Sequence, residues 1–402
     1  MYTNNDISPK EYLQQHQFVL SYKVLNTCIF QEVETQVACT MYEHTVPGCP
    51  YVDFEKQGAP DGMGVSPEGD HSFDPNHHIQ LEIPAYLKHT DGTQVPYPVP
   101  LEHKGGFDLA YSAPFRVLSD AGVKALRKVI HQNEKYANNN SRQPKAIRGI
   151  GYRSKFMRDF TYCPEILRHL SHCSGKPMHP HNMGMNLAQI NFGEIGVNKK
   201  VDKWHIDSVP YVMVLLLSDA TGMQGGQLQV ARFGDPKKAL DMIYRNGELP
   251  SHLVDTVNYP RAGYAIFMQG SSIAHGVTPV SKAREQRVTL VNSYQSLNPF
   301  EEDRTIYSTF KVIDGSTAPF EFARHQAWRA QGKLDYLLNK AKYFGTTKAI
   351  EEVLDMTIAD LKRARDLITG KTVEALPWAQ DKEDGEDETR PGAGIHALKS
   401  KL

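Results

Sequence analysis

Trp204-His205-Ile206-Asp207 and, much further along, Ala274-His275-Gly276 supply two imidazoles and one carboxylate. Such a set occupies one face of an octahedral ferrous ion and leaves the other open for oxygen and a second ligand. Three protein ligands rather than four are what a metal site built for chemistry requires. Alternation along an extended segment puts His205 and Asp207 on one side and Ile206 on the other, so both reach a single ion. Arg287 and Thr289 stand two apart on a later apolar run and therefore face the same way. A guanidinium grips a carboxylate through two charged hydrogen bonds, and a threonine hydroxyl adds another contact. That pair suits the far carboxylate of 2-oxoglutarate, whose 2-oxo acid end would chelate iron. Zinc accepts the same ligand types; the carboxylate grip favours Fe(II), 2-oxoglutarate and O2 over zinc hydrolysis.

A second His-x-Asp triplet tests how much such a pattern means in a chain with 17 histidines. His89-Thr90-Asp91 precedes Gly92, and Asp-Gly after an apolar run signals a hairpin turn, so this triplet is expected to be a turn only. Gln189 and Asn191, facing one way on the run before the metal segment, are candidates for substrate or co-substrate contact. Tyr211, Gln227 and Gln229, on later runs, are further candidates for the pocket wall. Arg148, Arg153 and Arg158, and the histidines at 169, 172, 179 and 181, are expected at the surface.

The elements that must hold these groups follow from periodicity. Short apolar runs broken by Gly, Asp and Pro recur at Leu187–Phe192, Val209–Leu217, Gln227–Ala231, Tyr264–Met268 and Val288–Tyr294. Strands at that spacing without intervening helices predict a β-sandwich or barrel. Upstream, Ser119 caps a helix expected over 120–138 with Val123, Leu126, Val129 and Ile130 on one stripe, and Pro164 opens a shorter one ending near Gly175. The runs 35–42 and 78–83 look β-like, and 57–74 is rich in turn residues. Downstream, helices are expected over 320–341 and 347–368, the second packed through Ile350, Val353, Leu354, Ile358 and Leu361. The predicted division is a mixed α/β region over 1–145, a β core over 146–300, helices over 301–370 and a mobile acidic tail over 371–402.

Composition narrows the function. With 402 residues, 40% hydrophobic and 23% charged, the chain can bury a sizeable core. Forty-five basic and 46 acidic side chains give a net charge of −1, which disfavours nucleic acid and anionic membrane as partners. Five cysteines without a CxxC pair argue against a disulfide framework and for a reducing, cytoplasmic setting. No signal-like segment or long apolar run is present. Nothing in the sequence sets the oligomeric state.

The motifs Trp204-His205-Ile206-Asp207, Leu215-Leu216-Leu217-Ser218-Asp219, Gly225-Gly226-Gln227-Leu228, Gly263-Tyr264-Ala265-Ile266-Phe267, His275-Gly276-Val277-Thr278-Pro279-Val280 and Arg287-Val288-Thr289 resemble the iron(II)/2-oxoglutarate-dependent dioxygenase superfamily. The likeness spans 183–297 and is strongest to the prolyl-hydroxylase-like and phytanoyl-hydroxylase-like branches. It implies a mainly β protein with a double-stranded β-helix (jelly-roll, cupin-like) core and flanking helices. It assigns His205, Asp207 and His275 to iron, and Arg287 with Thr289 to 2-oxoglutarate. Thr289 stands where serine is more frequent, keeping the hydroxyl, and Arg287 stands where prolyl hydroxylases proper use lysine. The implied activity is oxidation of a small organic substrate, an amino acid or secondary metabolite, with release of succinate and CO2. A protein side-chain hydroxylase, an iron oxidase of this fold that needs no 2-oxoglutarate, and a non-catalytic jelly-roll binding module are the alternatives.

Overall fold

The computed structural model describes residues 72–99, 107–139, 143, 145–196, 200–232, 234–339 and 347–377. The run 35–42, the turn-rich stretch up to residue 71 and the acidic tail beyond 377 lie outside the described residues.

Eight antiparallel strands form the centre: β1 (Gln189–Gly193), β2 (Asp202–His205), β3 (Tyr211–Leu216), β4 (Leu228–Ala231), β5 (Val254–Val257), β6 (Tyr264–Met268), β7 (His275–Val277) and β8 (Arg287–Ser296). They divide between two facing sheets, in the orders β1-β8-β3-β6 and β5-β4-β7-β2. The chain crosses between sheets after nearly every strand, and this is the winding of a double-stranded β-helix. The first sheet continues past β6 into Leu109–Ser112, Leu87–His89 and Gln94–Val95, and past β1 into Ala146–Ile147.

Alternation along β3 sets the two cores. Val212 and Leu216 point between the sheets to meet Leu228, Val230, Ile266 and Met268. Tyr211, Met213 and Leu215 point outward, against helices α1 (Asp120–Asn133), α2 (Lys155–Thr161) and α3 (Pro164–Ser174). Ser119 caps α1 by accepting from the Gly122 amide at 3.0 Å, and α3 ends at Gly175, whose φ of 66° suits a residue without Cβ.

Three expectations are corrected. A helix, α4 (Pro236–Asn246), does intervene between β4 and β5; Asp235 caps it, Pro236 opens it and Gly247 at φ 83° closes it. The segment 78–83 is not a regular strand: Asp74 caps a one-turn helix, Pro75–His78, after which Ile79 bridges to Leu118 and the Gln80 and Glu82 amides donate to the Val117 and Arg116 carbonyls, both at 2.9 Å. The C-terminal helices α5 (Ala318–Asn339) and α6 (Thr347–Ile368) pack together, but α6 turns Val353, Thr357, Ala364 and Leu367 inward and leaves Ile350, Leu354, Ile358 and Leu361 exposed. Phe322 of α5 and Leu367 of α6 join the cluster that holds the inter-sheet residues. Among the described residues no helix is long and apolar enough to cross a membrane.

Candidate metal centre

Trp204 and Ile206 pack outward against Ala239, Leu240 and Ile243 of α4. Their burial leaves His205 and Asp207 for the inner face. His205 and His275 are direct cross-strand partners in the β2–β7 pairing, and their rings lie 4.2 Å apart between centroids. The Asp207 amide donates to the Gly270 carbonyl at 2.9 Å, which fixes the carboxylate at the end of the small sheet. One ligand atom from each of His205, Asp207 and His275 lies within 4.8 Å of the others, and all three residues are buried.

The imidazoles are held in the form a metal needs. His205 Nδ1 donates to the Lys203 carbonyl at 2.6 Å and His275 Nδ1 to the Ile273 carbonyl at 3.1 Å. A carbonyl can only accept, so the proton sits on Nδ1 and the Nε2 lone pair is left for a ligand bond. Each Nε2 faces Asp207, at 3.3 Å from His205 and 3.5 Å from His275. Burial, then the neighbouring His205, depresses the His275 pKa to about 4, so its imidazole is neutral at physiological pH. A Cβ on Gly270 would fall 1.8 Å from Asp207 Oδ2. That glycine is the space the carboxylate occupies. Two neutral nitrogens, one hard oxygen and this cradle fit a ferrous ion.

Arg287 opens β8 and is 1% exposed, lining the same small cavity as His205, Asp207 and His275 together with Thr289, Asn191 and Tyr259. Thr289 Oγ1 accepts from Arg287 Nη1 at 3.4 Å, whereas Nε has no partner among the described residues. Burial lowers the Arg287 pKa, opposed by Tyr259 and Asp202. Space for the guanidinium comes from Gly226, where a Cβ would approach Arg287 Cδ to 2.8 Å. Asp202 also lines the cavity, and the remaining walls are apolar: Val201, Val212, Val214, Leu228, Met268, Val277 and Val291.

The other candidates separate by strand parity. Asn191 lines the cavity, and Gln189 supports it by donating to Asn191 Oδ1 at 2.6 Å and to Gln143 Oε1 at 3.1 Å. Tyr211 does not reach it: the tyrosine points to the opposite face of β3 and stacks on Phe267. Gln227 and Gln229 do not reach it either, because Leu228 and Val230 take the inner positions of β4; Gln227 bonds Asn258 at 2.7 Å instead. Arg148 is not solvated but buried in an ion pair with Asp314, and His169, His179 and His181 are buried too. His89 and Asp91 form the expected hairpin, with Gly92 at φ 89° between Leu87–His89 and Gln94–Val95. Asp202, Gly270 and Tyr259, absent from the sequence reading, complete the site; only the fold brings them there.

No protein-family model matches this sequence, and no curated protein matches it. Solved structures similar to this chain include the non-heme alpha ketoglutarate dependent epimerase SnoN from nogalamycin biosynthesis, at 18% identity, TM-score 0.33, over 44% of this chain and 73% of that one. The carbocyclase SnoK from the same biosynthesis is 14% identical, TM-score 0.33, over 50% and 87%. EctD from S. alaskensis with bound Fe is 14% identical, TM-score 0.37, over 54% and 84%.

Proposed function

We propose that this chain is an iron(II)- and 2-oxoglutarate-dependent oxygenase that oxidises a small organic molecule and releases succinate and CO2. One observation carries the reading: a three-ligand cluster and a fully buried guanidinium, short of partners, line one cavity. Asp202 is the acid whose charge reaches it, and with Nε still open the guanidinium has donors left for an incoming carboxylate. A dicarboxylate with a 2-oxo acid at one end satisfies both halves of the cavity at once.

His205, Asp207 and His275 would hold the iron, which with 2-oxoglutarate and O2 supplies an oxidant strong enough to break a C–H bond. Arg287 and Thr289 would fix the far carboxylate, and Asn191 would orient the co-substrate from β1. The valines and Leu228 keep water from the reacting atoms. Asp207 keeps its carboxylate, so no coordination place is vacated for a halide. Beside Asp207 the barrel opens into a bowl of about 490 Å3, within the size range of small-molecule sites.

The test is anaerobic titration with ferrous iron and 2-oxoglutarate, followed by the visible charge-transfer absorption of their chelate. The wild type is expected to show it and His205→Ala to lose it. An absent band, or oxygen uptake without succinate, overturns the assignment.

A further inference from the structure

The mouth of the barrel holds a second chamber that iron and 2-oxoglutarate leave unused. Asp108, Glu302, Asp303 and Arg304 wall both the bowl beside Asp207 and this smaller chamber of about 130 Å3. Its far wall includes Lys176, Tyr211, Gln295 and Glu301. Gln295 has the same strand parity on β8 as Arg287 and Thr289, nearer the open end. It is only 3% exposed, and neither its Nε2 nor its Oε1 has a hydrogen-bond partner among the described residues. Buried amides are ordinarily satisfied, so a carboxamide open at both ends against a cavity points to a ligand.

The surrounding charge says which kind. Lys176 Nζ lies 3.5 Å from the Glu301 carboxylate, and Arg304 Nε lies 3.3 Å from that of Glu302. Of the other charged groups in the lining, Arg329 pairs with Asp360 and Asp303 with Arg363 and His325, while Asp108 accepts from Thr90; walls whose charges are paired in this way favour neither a net anion nor a net cation. They favour a molecule carrying both charges. A carboxamide matches it, offering donor and acceptor side by side.

We propose that this chamber is the subsite for the polar head of the substrate, and that the head is the adjacent ammonium and carboxylate of a free amino acid. Gln295 Nε2 and Lys176 donate to the carboxylate; Gln295 Oε1 and Glu301 accept from the ammonium. The rest of the molecule runs past Asp108, Glu302, Asp303 and Arg304, which border both chambers, towards Asp207. This inference rests on the oxygenase reading above, and its test separates the two.

The probes are the common L-amino acids, each added to the anaerobic protein loaded with ferrous iron and 2-oxoglutarate. At least one is expected to shift the charge-transfer band and, in air, to accelerate succinate formation. Its carboxamide, which lacks the negative charge of the head, and its deaminated carboxylic acid, which lacks the positive one, should each bind roughly tenfold or more weakly, as for a lost charged hydrogen bond. Gln295→Leu should weaken the active amino acid by about the same factor while leaving the band without amino acid unchanged. Because the leucine removes two unsatisfied polar atoms, the variant should also melt no lower than the wild type. Gln295→Glu should weaken binding through repulsion of the carboxylate. An intact band that no amino acid shifts, or a Gln295→Leu protein that titrates like the wild type, overturns the subsite. Absence of the band itself would overturn the oxygenase reading instead.

Discussion

The chain contains one three-residue pattern in two settings, His89-Thr90-Asp91 and His205-Ile206-Asp207. In the first, Asp91 turns back to accept from the Thr93 amide at 2.8 Å, and His89 Nδ1 accepts from the Asp91 amide at 3.2 Å. Both polar side chains are spent on their own hairpin. In the second, backbone carbonyls take the imidazole protons, Trp204 and Ile206 are drawn outward by α4, and a glycine clears space for the carboxylate. Residue type therefore decides little by itself. What separates a turn from a ligand set is whether neighbouring backbone and packing leave the lone pairs free and convergent.

The largest expected difference comes from making one substitution in both triplets. Asp207→Ala should abolish the iron and 2-oxoglutarate chelate band and turnover. Asp91→Ala should leave both unchanged, with no more than a small loss of stability for the turn hydrogen bond. Equal effects from the two variants would erase the distinction. Next in size is Arg287→Ala, which should weaken 2-oxoglutarate by roughly 2–5 kcal/mol, as for truncating one side of a buried charged contact. Titration of 2-oxoglutarate into the iron-loaded protein reads this directly, and unchanged affinity would assign the grip elsewhere.

Buried histidines outside either triplet sharpen the contrast, because they sit in the helix-packed layer: His169 bonds Tyr97 at 3.0 Å and His179 the Pro180 carbonyl at 2.9 Å. His169, beside Tyr97 and Phe115, and His179, near Tyr162, have pKa values lowered by burial to about 4. The ordinary value is 6.5, so the unfolded chain takes up protons first as pH falls. Full stability is thus present above about pH 6.5 and is lost as pH drops towards 4, by up to roughly 3 kcal/mol per histidine. Denaturant unfolding of the metal-free protein across that range checks the slope. His169→Phe should flatten it, and an unchanged profile would show that other groups carry the acid sensitivity.

The convergence of His205, Asp207, His275 and Arg287 on one cavity was legible because their chemistry is rare and strand alternation is simple. The pocket wall was harder for specific reasons. The run Val209–Leu217 is apolar on both faces, since both sides of β3 are buried, so it has no alternation to reveal that Tyr211 points away from the metal. Gln227-Leu228-Gln229-Val230 does alternate, and an apolar interior claims the leucine and valine. Helix α4 carried its signals, Asp235-Pro236 at the start and Gly247 at the end. Gly270, Asp202 and Gln295 had no local signal: their importance lies in contacts between segments distant in sequence.

The smallest and most discriminating comparison is between two glycines. A Cβ at Gly92 meets nothing within 4 Å, but its φ of 89° disfavours any side chain. Gly92→Ala should therefore cost roughly 1–2 kcal/mol of stability through backbone strain and leave iron affinity alone. At Gly270 a Cβ would lie 1.8 Å from Asp207 Oδ2 and 2.6 Å from its Cγ, so Gly270→Ala must displace the carboxylate. Its expected signature is the reverse: iron binding about 10–100-fold weaker, as when a ligand loses its support. Measuring melting temperature and ferrous-iron affinity on both variants separates strain in a turn from geometry in a site. If Gly270→Ala binds iron as the wild type does, the carboxylate can move without penalty and Asp207 is not held where a ligand must be.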